Sequence, residues 1–204
     1  MKYTVVLPYA YRPYFDECMK TCKLENVLAI DNTVNNIGIM KAHNLGIEKM
    51  IADDSDWLII MSAAIRFGEK GGLDFIEELE KRPNDIAVEA IGVYGWHLIA
   101  FNRKTIERVG KWDENFTPYG YDDLDYSWRI QCAYELEKVR PVWVKVPVDV
   151  ADAGMGHSIH LGKIVTQDDN KLREYFIKKW GDIHHPKYKT PFNIPDCELG
   201  FWPV

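Results

Sequence analysis

The sequence predicts an α/β protein with a mostly parallel central sheet flanked by helices on both faces. Short apolar, β-rich runs alternate along the chain with segments of helical periodicity, and this order favours parallel strands joined by crossover helices. The run Trp57-Leu58-Ile59-Ile60-Met61 is continuously apolar, as a strand buried on both faces must be. With 204 residues and 47% hydrophobic content, the chain can build one sizeable core, so residues 1–204 are read as one domain.

The elements follow in order. Residues 3–7 form a short strand stopped by Pro8, and residues 13–22 can be helical. Residues 27–30 form a second buried strand ending at Asp31. Residues 37–51 carry Ile37, Met40, Ala42, Leu45, Ile47 and Met50 at helical spacing, before the strand at 57–61. An amphipathic helix at 72–81, strands at 86–91 and 96–101, a short helix at 104–109 and a longer one at 122–135 complete the alternation. From about Asp149 the chain is richer in Gly, His and Pro; a last helix at 169–180 and an irregular tail read as an appended cover.

Composition narrows the function classes. No apolar run approaches the ~20 residues of a membrane span, and the start Met1-Lys2-Tyr3-Thr4-Val5-Val6 lacks the charged and apolar regions of a signal peptide, which leads to a cytoplasmic expectation. The four cysteines fit no paired zinc pattern and read as structural thiols. A formal net charge of -6 disfavours a broad nucleic-acid footprint.

Ligands of such sheets bind beyond the carboxyl ends of the strands, which directs attention to residues 8–12, 31–36, 62–66 and the loop before Asp122. The densest polar cluster is Gly120-Tyr121-Asp122-Asp123-Leu124-Asp125-Tyr126-Ser127-Trp128-Arg129, preceded by Trp112-Asp113-Glu114-Asn115-Phe116. Acids at a helix start have a mundane reading, since they complement free N–H groups and the macrodipole.

The arrangement around this cluster resembles the family 2 inverting glycosyltransferases of the Rossmann-like GT-A fold. Asp122, Asp123, Asp125 and Arg129 match that family's Glu-Asp-x-Asp-x-x-x-Arg, and residues 109–116 are similar to its Val-Gly-x-Phe-Asp-Glu-x-Phe. Ile30-Asp31-Asn32, Asn36-Ile37-Gly38 and Ala42-His43-Asn44-Leu45-Gly46 match its strand-end Asp and Asn-x-Gly, Ala-x-Asn-x-Gly helix start; Gly156-His157 and the Lys179-Trp180-Gly181 run extend the likeness. The resemblance implies transfer of a sugar from a nucleoside diphosphate donor, with UDP favoured, to an acceptor hydroxyl with inversion. It implies Asp123 as general base, with Asp122 orienting the base or the acceptor beside Trp96 and Tyr121. It further implies a nucleotide pocket from Pro8, Tyr9, Tyr11, Arg12, Asp31, Asn36 and Asn44, residues 1–102 being the donor half and 103–204 the acceptor and catalytic half.

One departure stands out. Where the family carries an Asp-x-Asp metal motif, this chain reads Ser62-Ala63-Ala64-Ile65-Arg66, and alanine offers no oxygen for Mg²⁺ or Mn²⁺. Ser62, Ala63 and Ala64 would still line the diphosphate, with Arg66 as a substitute cation or His157 as a remaining metal ligand. Asp53, Asp54 and Asp56 precede the strand and read as a solvated turn at the wrong end of the sheet. Trp57, Trp96, Trp112 and Trp128 suit sugar stacking or plain packing. The acceptor stays open between a glycan, a small molecule and a modified base in DNA, and a catalytically silent nucleotide- or sugar-binding protein is the alternative outside enzymes.

Overall fold

The computed structural model describes residues 1–91, 96–117, 119–135, 141–151 and 169–193. The chain runs through β1 (Tyr3–Tyr9), α1 (Arg12–Thr21), β2 (Val27–Asp31), α2 (Ile39–Ala52), β3 (Trp57–Met61), β4 (Ile65–Phe67) and α3 (Leu73–Glu80). It continues through β5 (Ala87–Ala90), β6 (Leu98–Asn102), α4 (Arg103–Val109), α5 (Asp122–Tyr134), β7 (Val142–Val144), β8 (Val148–Val150) and α6 (Asp169–Trp180).

Six strands form the main sheet in the order β2-β1-β3-β6-β5-β7. β1 is parallel to β2 and β3, and β5 is parallel to β7, while β6 runs antiparallel to both β3 and β5. The sheet is therefore mostly parallel, with β6 the reversed strand. β4 and β8 pair antiparallel as a separate ribbon, which the periodicity of the sequence does not announce.

Side-chain alternation splits the interior into two layers. Val5, Leu7, Ile59, Met61, Val88 and Ala90 face α1 and α3, where Phe75 and Leu79 are fully buried. Val6, Leu58, Ile60, Ile99 and Phe101 face α2, α4, α5 and α6. Every residue of β3 is buried, which explains its uninterrupted apolar run; each such aliphatic contributes about 2 kcal/mol of transfer free energy.

Three expectations are corrected. Pro8 does not stop β1, which continues to Tyr9; beyond Val6 the strand pairs with β2 alone, so the lost proline donor falls where one flank is already released. The strand at 27–30, expected to be buried, is β2 at the end of the sheet order, and none of its residues is buried. α6, expected within an appended cover, is built into the core, where Leu172, Phe176 and Trp180 are buried. Among the described residues no helix is long and apolar enough to cross a membrane.

Candidate active site

At the carboxyl ends of β1 and β2, Asp31 and Tyr9 come together beside Arg12. Thr33 donates its amide to Asp31 Oδ1 at 2.9 Å, and the hydrogen bonds from Thr33 and then Tyr9 hold this exposed carboxyl below its ordinary range. Tyr9 stacks on Phe15 with ring centroids 4.2 Å apart, and the Arg12 guanidinium lies 5.1 Å from the Phe15 centroid while bonding Asp16 at 2.8 Å. Pro8 and Tyr11 flank the group, both half-buried. Asn36 is exposed, and its Oδ1 accepts from the Gly38 amide ahead of α2.

The turn after β3 is closed on itself. Ser62 Oγ accepts from the Ala64 amide at 3.2 Å, Ala63 and Ala64 are buried, and the Ala64 carbonyl accepts from Ala151. Arg66 curls back on this turn, donating from Nη1 to the Ala63 and Ile65 carbonyls, with its guanidinium 5.7 Å from the Tyr14 ring centroid. Because β6 is reversed, its start reaches the same end of the sheet: Ser62 donates its amide to the His97 carbonyl at 2.8 Å. Burial lowers the His97 pKa, which favours the neutral imidazole.

The start of α5 supplies the carboxylates. Gly120 and Tyr121 take left-handed conformations, φ 105° and 61°, that turn the chain into the helix, and the Tyr121 ring packs on Phe176. Asp122 is half-buried and accepts from the Gly120 amide at 2.9 Å; burial, then the charge of Asp123, pushes its pKa up to about 6. Asp123 is exposed. Its charge also reaches Glu89 on β5, a carboxyl raised chiefly by burial. Glu89 accepts from the Trp96 amide at 3.3 Å and from the Trp143 indole at 3.1 Å.

A buried polar network fixes α5. Asp125 is bonded by Arg129 Nε at 3.1 Å, by the Trp180 indole at 2.8 Å and by Lys179 Nζ at 2.9 Å. Lys179 also meets Asp113 at 2.6 Å, and Tyr175 donates to Asp113 at 2.7 Å. Trp112 stacks flat on Tyr126, centroids 3.8 Å apart. The segments that carry the sequence resemblance around residues 109–116, 125–129 and 175–181 thus meet in one load of packing and charge behind Asp122 and Asp123.

Several expected residues stand elsewhere. Asn44 is buried and spends its amide on the Trp112 backbone, at 2.8 and 3.0 Å, and on Glu114 at 2.8 Å, which leaves it a clamp between α2 and residues 112–114 rather than a pocket group. Trp57, Trp112 and Trp128 are buried packing residues, and the Trp96 ring lies edge-on against Phe101 at 5.3 Å. Asp53, Asp54 and Asp56 form a solvated turn with Lys49, Arg103 and the Lys2 amide, at the opposite end of the sheet. A cavity of about 520 Å³ beside Asp56 and Trp57 lies at that end too. His157 lies outside the described residues. Sequence reading missed Glu89, His97 and Trp143; an acid inside the short strand Ala87-Val88-Glu89-Ala90 is the signal that could have found the first.

No family model and no curated protein matches the chain. Solved structures do. The chain is similar to the mannosyltransferase PcManGT from Pyrobaculum calidifontis in complex with GDP-Man and Mn2+, with TM-score 0.56 and 15% identity over 91% of this chain and 66% of that one. It is also similar to residues 1–349 of S. aureus TarS, with TM-score 0.52 and 9% identity over 85% of this chain and 69% of that one. The chain spans about two thirds of the length of these two structures. The mixed α/β architecture, with a central mostly parallel sheet flanked by helices, is that of the GT-A glycosyltransferases.

Proposed function

We propose that this protein transfers a sugar from a nucleoside diphosphate donor to an acceptor hydroxyl with inversion at the anomeric carbon. The observation that carries the reading is the carboxylate pair Asp122 and Asp123, raised on the start of α5 at the ligand-binding end of a GT-A sheet whose first two strands end in Tyr9 and Asp31. Asp31 holds the nucleobase edge in this proposal, and Tyr9, Tyr11 and Arg12 line the same pocket, with UDP the favoured nucleotide.

In the reaction, the acceptor oxygen forms its bond to the anomeric carbon from the face opposite the diphosphate. Its proton passes to the Asp123 carboxylate, and the bond between the anomeric carbon and the diphosphate oxygen breaks with its electron pair on the departing nucleotide. Asp122 accepts a hydrogen bond that orients the acceptor.

The metal of the mannosyltransferase complex does not fit the described residues. Among them no group of three or more His, Cys, Asp or Glu side chains could hold an ion, and the turn after β3 presents buried alanines and an engaged serine. Arg66, held against that turn by two carbonyls, is the proposed counter-charge for the diphosphate.

One observation favours a second assignment within the same reaction. A carboxyl near pH 6 is better matched to accept a proton near neutrality than an ordinary one, which makes Asp122 the alternative base. Release of nucleoside diphosphate from UDP- and GDP-sugars separates the two. Asp123→Asn is expected to lower turnover about 10³-fold while sparing donor affinity. Full activity in Asp123→Asn together with an inactive Asp122→Asn transfers the role to Asp122, and full activity in both removes the mechanism.

A further inference from the structure

Trp143 is the anomaly of the surface. It sits in edge strand β7 with 64% of its area exposed, although a large aromatic normally hides such a face. It is nonetheless fixed, because its indole N–H donates to Glu89 Oε2 at 3.1 Å from the cross-strand position that pairs the two residues. The other Glu89 oxygen accepts from the Trp96 amide, and Trp96 has a left-handed backbone, φ 59°, that is unfavourable for a bulky side chain. One half-buried carboxylate thus pins an exposed ring and a strained turn at once.

This assembly stands beside the chemistry. Glu89 lies in the penultimate position of β5, near the ligand-binding end, within reach of the charge of Asp123. A carboxylate has about four acceptor positions, so Glu89 keeps capacity after binding both tryptophans. A flat indole face edged by the Glu89 carboxylate is complementary to a pyranose, which has an apolar C–H face and hydroxyl donors around its rim. The three acids Glu89, Asp122 and Asp123 repel a polyanion.

We propose that Trp143, locked in place by Glu89, is the stacking platform for the acceptor, and that the acceptor is a carbohydrate ring rather than DNA. The inference rests on the transferase reading and names the substrate class of that same site. The Trp96 ring turns inward onto Phe101, so the free face belongs to Trp143.

The test follows the Trp143 indole N–H resonance, assigned with Trp143→Phe, during titration with cellobiose, maltotriose, N,N′-diacetylchitobiose, α-1,6-mannobiose and a short DNA duplex. GDP and UDP are titrated in parallel. The expected result is a shift of that resonance by at least one saccharide, an affinity about tenfold lower in Trp143→Ala with a smaller loss in Trp143→Phe, and unchanged nucleotide affinity. Saccharide binding that Trp143→Ala leaves intact overturns the platform; so does a protein that binds nucleotide but none of the saccharides, or that binds the duplex instead. In those cases the transferase reading survives. Absence of any nucleotide binding, with the saccharide arm positive, sinks the transferase reading and leaves the platform standing.

Discussion

At the start of α5 two adjacent carboxylates occupy unequal surroundings, and their behaviour with pH follows from the difference. Asp122 is raised from 3.8 to about 6, by burial first and by Asp123 second. Below about pH 4 the carboxyl is protonated in the folded and unfolded chains alike, and it adds nothing to stability. Through the window up to about 6 the unfolded chain releases the proton while the fold retains it, so stability declines; above about 6 the ionised side chain is a constant burden. Asp122→Asn is therefore expected to stabilise the protein by up to about 3 kcal/mol at about pH 8 and not at all near pH 4, read by melting curves at both values. Transfer should fall as pH drops below about 6, when Asp122 takes up its proton. The acids of this cluster were legible in the sequence because they are adjacent in the chain. Glu89 and Trp143 were not, since they face each other only through the parallel pairing of β5 with β7, and nothing local marks that register.

At the scale of elements, α2 shows how a motif can be legible while its purpose is not. Helical spacing in residues 37–51 gives the helix, but not which residue of Ala42-His43-Asn44-Leu45-Gly46 meets the sheet and which meets residues 112–114. Gly46 meets the sheet: a Cβ there would stand 2.8 Å from Val6 Cβ, so Gly46→Ala must push α2 away from β1. A loss of about 1–3 kcal/mol is expected from chemical denaturation, and an unchanged midpoint would show that the helix can shift at no cost. Asn44 meets Trp112 and Glu114, partners some 70 positions away, so no local pattern could separate this clamp from a pocket residue. The reversal of β6 is legible in the spacing of the sequence. Residues 91–97 are too few for the crossover that a parallel neighbour requires, and an antiparallel return is what so short a connection permits.

Across the whole molecule, the buried cation Lys179 joins α6 to α5 and to residue 113, and thereby ties the last described α-helix to the element whose start carries Asp122 and Asp123. Lys179→Met leaves Asp113 and Asp125 without their shared counter-charge in a closed core. The expected cost is about 3–5 kcal/mol, measured by denaturation, with transfer lost before nucleotide affinity because the Asp31 pocket lies on other elements. Alternating strands and helices made the fold class readable from the sequence, since the core needs both layers on β3. The long-range contacts that orient the site join segments more than 50 residues apart, and those required the structure.

The central claim is that the end of β1 and β2 around Asp31 holds a nucleoside diphosphate. Calorimetric titration with UDP and GDP, with and without Mn²⁺, tests it most directly. The account predicts saturable binding of at least one nucleotide, about tenfold weaker in Asp31→Ala and weakened again in Arg66→Ala, with little change on adding Mn²⁺. Failure of every nucleotide to bind would contradict it and leave a GT-A fold that has given up its donor.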